Sequence, residues 1–299
     1  MKSGFISLIG RPNAGKSTLL NQILDRKVAI VSDKPQTTRT RITGIFTDND
    51  AQMVFIDTPG IHKPKHRLGQ YMVEAAQSSI YDGDVIYYMV DASVPFGGGE
   101  EYILNALKDV EAPVFLLLNK IDKMSPETIM RTIVQWQARR EFAEVFPLSA
   151  EKGDNVTELL ATTKKYLMEG PNFYPEDVVT DQPERIVISE LIREKILRFT
   201  EEEVPHSVAV AVEHMERDEK DDKLVVHAII YIERNSQKGI IIGKQGEMMK
   251  RIGKAARRDI ELLLDEKIYL KLWVKVKEKW RDREGVLHDL GFDINDFME

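Results

Sequence analysis

The residues with the clearest chemical potential form a glycine-rich loop between an apolar run and a helix-like segment. Its spacing is G-x-x-x-x-G-K-S, and its members are Gly10, Arg11, Pro12, Asn13, Ala14, Gly15, Lys16 and Ser17. In a phosphate-binding loop of this spacing, backbone N–H groups turn toward phosphate oxygens, and the helix N-terminus that follows favours anions. We expect Lys16 to reach the β- and γ-phosphates of a triphosphate and Ser17 to bind Mg²⁺, and we include Thr18 in the nucleotide-binding set. A chance glycine-rich turn is the alternative.

A polar stretch, residues 32–41, comes after the helix that follows this loop. In proteins with such a loop, a mobile segment carrying a threonine folds over the γ-phosphate and Mg²⁺. We choose Thr38 as the metal-binding threonine and leave its neighbour Thr37 as the alternative. Without the phosphate-binding loop, both would be interpreted as ordinary loop threonines.

A second phosphate-sensing motif follows an apolar run. It reads D-x-x-G and consists of Asp57, Thr58, Pro59 and Gly60. We expect Asp57 to hold Mg²⁺ through water and the Gly60 N–H to sense the γ-phosphate. The catalytic set predicted from the sequence is therefore Lys16, Thr38 and Gly60, and the metal set is Ser17, Thr38 and Asp57.

Two later motifs indicate which base is bound. The first follows an apolar run and consists of Asn119, Lys120, Ile121 and Asp122. A carboxylate at Asp122 accepts from the N1–H and N2–H₂ groups of guanine, donors that adenine lacks, and leaving it without them costs about 1–3 kcal/mol. Asn119 would tie this loop to the phosphate-binding loop, and the Lys120 stem would lie along the base. The second motif consists of Ser149, Ala150 and Glu151, and we expect the Ala150 N–H to reach guanine O6. A strand followed by a polar turn is the alternative for the first motif.

Composition sets the broad class of the protein. A chain of 299 residues suggests about two domains. It has no cysteine, which excludes disulfides, thiol nucleophiles and cysteine zinc sites. The N-terminus runs directly into the first strand and no apolar run approaches a membrane span, so we expect a cytoplasmic protein. The net charge is −7, yet residues 238–283 carry 14 basic against 7 acidic residues. That segment is the candidate for contact with a polyanion.

The second half of the chain contains a candidate nucleic-acid motif. Residues 169–183 are proline-rich and indicate a linker. An apolar helical pattern and two strand-like runs, 207–212 and 224–232, follow it. A G-x-x-G loop, Gly243, Lys244, Gln245 and Gly246, then joins two helices, and the last strand alternates apolar with basic or aromatic residues. The basic residues after the loop are Lys250, Arg251, Lys254, Arg257 and Arg258. A glycine loop of this kind clamps about four nucleotides in KH domains. A tight turn with a solvated basic face is the alternative.

Together, these motifs resemble those of the translation-factor-related GTPases, and most closely the Era-type ribosome-assembly GTPases. The resemblance implies an α/β P-loop GTPase domain whose mostly parallel sheet has helices on both faces, with the second strand antiparallel. A smaller α+β type II KH domain would follow. The implied boundaries are residues 1–170 for the GTPase domain, 171–184 for a linker, 185–283 for the KH domain and 284–299 for a tail.

The same resemblance implies a function. The implied protein is a molecular switch that uses Mg²⁺ to hydrolyse GTP to GDP and phosphate. It would bind the single-stranded 3′ region of 16S rRNA and assist maturation of the 30S subunit. It also implies a K⁺ ion held by Asn13, for which a turn residue is the alternative, and peripheral contact with the inner face of the cell membrane. We expect a monomer. Ile61 replaces the glutamine that orients water in Ras-like enzymes, so intrinsic hydrolysis should be slow.

Two other interpretations remain open at this point. One is a GTPase whose C-terminal domain binds a protein partner rather than RNA. The other is a P-loop kinase acting on a small acceptor, which Asp122 and its motif disfavour because they fit guanine.

Overall fold

The computed structural model describes residues 1–34, 36–64 and 66–292. Most of the tail predicted at residues 284–299 falls within this part, and residues 293–299 lie outside it. Among the described residues, no helix is long and apolar enough to span a membrane.

The N-terminal part is a sheet with helices on both faces. Its elements are β1 (Lys2–Ile9), α1 (Lys16–Leu24), β2 (Ile42–Thr47), β3 (Ala51–Asp57), α2 (Arg67–Tyr81), β4 (Val85–Asp91), α3 (Gly98–Ala106), β5 (Val114–Asn119), α4 (Pro126–Gln137), β6 (Glu144–Leu148), α5 (Val156–Tyr166) and β7 (Met168–Glu169). The strand order is β2-β3-β1-β4-β5-β6, with β7 paired to β1. Strand β2 is antiparallel to β3, and β3, β1, β4, β5 and β6 are parallel to one another, which confirms the predicted sheet.

The parallel strands are continuous apolar runs because both of their faces are covered. Every residue of β3 and β5 is buried. One face packs against α1 and α5, with Leu20 and Leu159 in the shared core, and the other packs around Ile103 and Trp136 of α3 and α4. Burial on both faces is the usual reason for such uninterrupted apolar strands. Helix α3 ends at Ala106, where the chain turns.

The C-terminal part is a three-stranded sheet covered by helices on one side. Its elements are α6 (Glu184–Phe199), α7 (Val204–Ser207), β8 (Ala209–Arg217), β9 (Leu224–Ile232), α8 (Asn235–Ile242), α9 (Glu247–Leu264), β10 (Ile268–Val276) and α10 (Glu284–Asp289). The strand order is β10-β9-β8, with β10 parallel and β8 antiparallel to β9. The core lies between this sheet and helices α6, α8 and α9. This is the predicted succession of helix, two strands, two helices and strand.

Strand β8 differs from its predicted span of 207–212. Ser207 ends the short helix α7, which Pro205 favours because proline suits the first turn of a helix. The strand instead continues to Arg217 past a bulge between Val212 and His214.

The segment predicted as a linker is bound to the first sheet. The Gln52 side-chain oxygen accepts hydrogen bonds from the backbone N–H groups of Phe173 (2.7 Å) and Tyr174 (2.9 Å). Thr180 donates its hydroxyl to the Thr43 carbonyl at 2.7 Å. The composition indicated an interdomain connection, and the structure adds that this connection follows the edge of the sheet.

Candidate nucleotide and nucleic-acid sites

A cleft opens where the loops after β1, β5 and β6 meet. It is lined by many of the predicted nucleotide-binding residues: Pro12, Asn13, Gly15, Lys16, Ser17, Thr18, Thr38, Gly60, Asn119, Lys120, Asp122, Ser149, Ala150 and Glu151. Ligands of open α/β sheets bind at the carboxyl ends of the parallel strands, where this cleft lies. Gly15 has a φ of 109°, and a Cβ there would lie 2.1 Å from the Asn119 Nδ2 atom. The phosphate-binding loop therefore requires glycine at this position.

Lys16 is a buried cation at the base of the cleft. Its Nζ donates to the carbonyl oxygens of Gly10 (3.1 Å) and Arg11 (3.2 Å). Burial lowers the pKa of Lys16, and the negative charges of Asp57 and Glu100 partly oppose that effect. A buried ammonium bound to carbonyls is poorly compensated, so an anionic phosphate beside it would be stabilised.

The three predicted metal-binding side chains lie together. The Ser17 hydroxyl donates to Asp57 Oδ2 at 2.5 Å and lies 2.9 Å from the Thr38 hydroxyl. Thr37 also lines the cleft, but its hydroxyl donates to the Lys34 carbonyl at 2.6 Å instead of joining this group. The structure thus brings Thr38, rather than Thr37, to the other two residues.

Asp57 has the properties expected of a metal-binding carboxylate. Burial raises its pKa to about 6, although Lys16 and the Ser17 hydrogen bond lower it. Its Oδ1 atom is buried and has no hydrogen-bond partner. A buried carboxylate oxygen beside two hydroxyls fits a hard cation such as Mg²⁺, which prefers oxygen ligands.

The base-recognition motifs are joined by Asn119. Its Nδ2 donates to the Ala14 carbonyl at 2.8 Å, as predicted, and its Oδ1 accepts from the Ala150 N–H at 2.9 Å. In this structure Asn119 engages the Ala150 N–H, and the expected contact of that N–H with guanine O6 stays a prediction. Asp122 Oδ1 accepts from the Ser149 hydroxyl at 2.7 Å, and Lys120 Nζ donates to Asp91 at 2.5 Å.

Some predicted nucleotide-binding residues do not line the cleft. These residues are Gly10, Arg11, Ala14, Asp57, Thr58 and Pro59. The Thr58 hydroxyl donates to the Leu8 carbonyl at 2.7 Å, which anchors the motif to β1. Arg11 Nη1 lies 3.8 Å from Glu100 Oε1, so the Arg11 side chain is directed toward α3. The Thr58 and Arg11 side chains therefore stabilise the loops from outside the cleft. Asp57 does not line the cleft, but it accepts a hydrogen bond from Ser17, which does.

His62, which is not among the predicted site residues, bridges the polar stretch that carries Thr38 and the D-x-x-G motif. His62 Nδ1 lies 2.8 Å from the Gly60 carbonyl, and its Nε2 lies 2.9 Å from the Gln36 side-chain amide nitrogen. Since a carbonyl only accepts, Nδ1 carries the proton and Nε2 accepts from Gln36. The sole sequence signal was its position two residues after Gly60.

The G-x-x-G loop turns sharply between α8 and α9. Gly243 and Gly246 have φ values of 71° and 78°, and a Cβ on Gly243 would lie 2.7 Å from the Met248 Cβ. Lys244 and Gln245 are exposed at the tip of the loop. The loop therefore presents backbone and a cation at the N-terminus of α9, where a phosphate is favoured.

The five basic residues of α9 lie on two adjacent faces. Lys250, Lys254 and Arg257 line a groove against β10 that also contains Lys271. Arg251 instead lies over the Phe199 ring, 4.1 Å from its centroid, on the side that faces α6. The sequence treated these residues as one set, whereas the helix spreads them over two faces: Arg251 and Arg258 lie toward α6, Lys250 lies toward β10, and Lys254 and Arg257 border both.

The open face of the second sheet is basic and aromatic, as the alternation in β10 predicted. Tyr269, Lys271, Trp273 and Lys275 are exposed, and His227 stacks on Trp273 with ring centroids 5.4 Å apart.

Comparison with known proteins agrees with these two sites. Residues 5–120 match the family described as "50S ribosome-binding GTPase", and residues 203–281 match the KH domain family. A solved structure of a substituted Aquifex aeolicus Era bound to GDP·AlF₄⁻ is 42% identical; the match covers 98% of this chain and 99% of that one, with a TM-score of 0.95. The chain belongs to the Era family of GTPases.

A second Era structure gives the same identity, coverage and TM-score, and is a complex with MgGDPNP and nucleotides 1506–1542 of 16S ribosomal RNA. Membership of the Era family confirms the predicted combination of a GTPase domain and a KH domain.

In this Era-family chain, Ile61 is buried and its N–H donates to the Gly10 carbonyl at 3.2 Å. Its side chain has no polar group with which to hold water.

Proposed function

We propose that this chain is a GTP-operated switch that binds single-stranded RNA of the small ribosomal subunit and assists maturation of the 30S subunit. The observation that carries the proposal is the presence, in one chain, of the Ser17, Thr38 and Asp57 cluster and of a KH loop with a basic groove. The reaction is hydrolysis of GTP to GDP and phosphate.

In this proposal each residue of the nucleotide site has one task. Lys16 donates to the β- and γ-phosphates, and the Gly60 N–H donates to the γ-phosphate. Ser17, Thr38 and Asp57 hold Mg²⁺, which when bound neutralises charge on the β- and γ-phosphates. Asp122 accepts the two guanine donors. Another group must orient the attacking water, because the Ile61 side chain has no hydrogen-bonding atom.

Guanine selection is tested by Asp122→Asn. This change replaces the acceptor for guanine N1–H and N2–H₂ with an amide that can donate to a carbonyl at purine C2, so preference should move from GTP toward xanthosine triphosphate. Turnover of both nucleotides is measured for both proteins. An unchanged preference for GTP would remove Asp122 from base recognition. Loss of turnover in Lys16→Ala tests the phosphate-binding loop separately.

The RNA part of the proposal is supported by the exposed Lys244 and Gln245 and by the basic groove beside β10. A KH loop lets the nucleic-acid backbone approach closely, and basic side chains meet the phosphates. The Era relative that was solved with RNA holds part of 16S rRNA. Since 16S rRNA belongs to the small subunit, we favour 30S over the 50S of the family description.

The RNA proposal is tested with a short oligonucleotide of the 16S 3′ end. Binding to the full chain is measured with a GTP analogue, with GDP and without nucleotide, at two salt concentrations. We expect binding that weakens with salt, because phosphate contacts release counterions, and that is tightest with the GTP analogue. Lys244→Glu should weaken it, whereas Lys220→Glu, the same change on the exposed β8–β9 turn, should not. Absence of binding in every state would favour the alternative of a protein partner.

Four finer features complete the proposal. We propose that K⁺ binds beside Asn13, whose Nδ2 donates to the Asp33 carbonyl at 2.8 Å and whose side chain lines the cleft. Faster turnover in KCl than in NaCl, lost in Asn13→Ala, is the expected result. The chain would act as a monomer in the cytoplasm, where 30S subunits mature, and would contact the inner face of the cell membrane peripherally.

A further inference from the structure

The segment that carries Thr38 lies between the nucleotide cleft and the KH domain. Ile30, near its start, is buried in the core of the KH domain with Ile188 and Leu191 of α6. The Val31 N–H donates to Glu194 of α6 at 3.1 Å. Residues 30–34 and 36–39, which we call the shared segment, therefore contact both domains.

The KH domain holds the residue that precedes Thr38. Arg193 of α6 is almost wholly buried, and its Nη2 donates to the Thr37 carbonyl. Glu190, one turn earlier on α6, fixes the guanidinium by accepting from Nε at 2.7 Å and from Nη2 at 2.5 Å. A guanidinium fixed by a carboxylate in this way has its remaining donors aimed in a set direction.

The residue that follows Thr38 is held by the KH domain as well. Arg39 donates from Nη1 to the Val208 carbonyl at 2.6 Å and from Nη2 to the His206 carbonyl at 3.3 Å. It also lies over the Trp280 ring, 5.7 Å from the centroid. Because Thr37 and Arg39 are both hydrogen-bonded to the KH domain, the backbone on each side of Thr38 is held in place. The Thr38 hydroxyl lies 2.9 Å from that of Ser17.

We propose that Arg193 is a positioning residue for GTP hydrolysis. By binding the Thr37 carbonyl from the KH domain, it places the Thr38 hydroxyl beside Ser17 and Asp57, where Mg²⁺ is to be held. The proposal deepens the GTPase function proposed above and rests on it. Thr38 should matter for the triphosphate state, because such segments are ordered by the γ-phosphate and Mg²⁺ and are released after hydrolysis.

The experiment compares full-length wild type with Arg193→Ala. GTP turnover is measured across Mg²⁺ concentrations, and affinities are measured for GDP and for a GTP analogue. We expect kcat to fall by about 10- to 100-fold, the range that corresponds to the loss of one hydrogen bond to a charged group. The Mg²⁺ concentration for half-maximal turnover should rise and affinity for the GTP analogue should fall, while affinity for GDP stays at the wild-type value.

Two further variants separate positioning from folding. Arg193→Lys keeps the charge and the stem but cannot bind Thr37 and Glu190 with one planar fork, so its kcat should lie between those of wild type and Arg193→Ala. Arg198→Ala removes an exposed arginine from the same helix and should behave as wild type. Thermal unfolding is recorded for every variant, and Arg193→Lys decides the question if Arg193→Ala does not fold.

Two results would overturn the proposal. One is Arg193→Ala or Arg193→Lys with wild-type kcat and wild-type Mg²⁺ dependence. The other is an equal loss of GDP and GTP-analogue affinity, which indicates a general structural role. If wild type itself does not hydrolyse GTP, the proposed function fails, whatever the variants do.

Discussion

Asn119→Ala should weaken nucleotide binding more than it weakens the fold. Asn119 connects two loops of the cleft, because its Nδ2 donates to the Ala14 carbonyl at 2.8 Å and its Oδ1 accepts from the Ala150 N–H at 2.9 Å. All three residues are buried, with exposed fractions of 3% for Asn119, 2% for Ala14 and 1% for Ala150. The substitution leaves one backbone acceptor and one backbone donor without their partner.

The magnitude follows from those two groups. Each buried polar group left without a partner costs about 1–3 kcal/mol, so the two together cost roughly 2–4 kcal/mol once some relaxation is allowed. In the nucleotide-free protein the loops can move apart and admit water. Nucleotide binding requires the two loops to come together again. Most of the free-energy cost should therefore appear as a decrease of about 30- to 1,000-fold in nucleotide affinity.

The assay is equilibrium titration with a fluorescent GDP, with thermal unfolding recorded in parallel. Asn155→Gly is the matched control. Asn155 immediately precedes α5, its side-chain amide donates to the Pro147 carbonyl of β6 at 2.7 Å, and glycine readily adopts its φ of 63°. The control should lose about 1 kcal/mol of stability and no GDP affinity. If Asn119→Ala binds GDP as wild type does and unfolds at the same temperature, the reasoning is refuted.

Three further perturbations test other parts of the structure. In Gly60→Ala the new Cβ would lie 2.4 Å from the Pro12 backbone nitrogen, so GTP turnover should be lost while a GDP titration still shows binding. Burial raises the pKa of Asp57 to about 6 from 3.8. The folded protein thus holds more protons than the unfolded chain between these values, so metal-free stability should fall as pH rises through this range, and Mg²⁺ titrations should show weaker binding at pH 5.5 than at pH 7.5. Ile30→Ala empties a position in the KH core and should cost about 2–5 kcal/mol in denaturant unfolding, against about 1 kcal/mol for Ile30→Val.

The nucleotide cleft was predictable because each of its motifs is local and ends a strand. Asn119 ends β5, and only β4 lies between β5 and β1 in the sheet. The sheet therefore brings Asn119 to the loop that follows β1. The parallel order of β1 and β3 also brings Ser17 and Asp57 together, and Thr38 reaches the same edge because it precedes β2, which runs antiparallel to β3. The hydrogen bond from the Ala150 N–H to Asn119 was not predicted, because it depends on the orientation of one side-chain amide, which no spacing encodes.

The separation of the basic residues on α9 could have been deduced from helical periodicity. Lys250, Lys254 and Arg257 are spaced i, i+4 and i+7, which places them on one face, whereas Arg251 begins the next face. The positions of Arg39 and Arg193 could not have been deduced. Charged residues are usually exposed, and the contact from Arg193 to Thr37 spans 156 residues of sequence between two domains.

The shared segment gives a thermodynamic reason to expect that nucleotide and RNA affect each other. Thr38 faces the nucleotide cleft, while Ile30 and Arg39 are buried against the KH domain, so a nucleotide that favours one position of the segment also favours one contact with the KH domain. Coupling between two sites is reciprocal. The factor by which a GTP analogue strengthens RNA binding relative to GDP must therefore equal the factor by which RNA strengthens binding of the analogue relative to GDP. If RNA binds equally well in both nucleotide states, the contacts of Arg39 and Arg193 fix the segment without transmitting the state of the cleft.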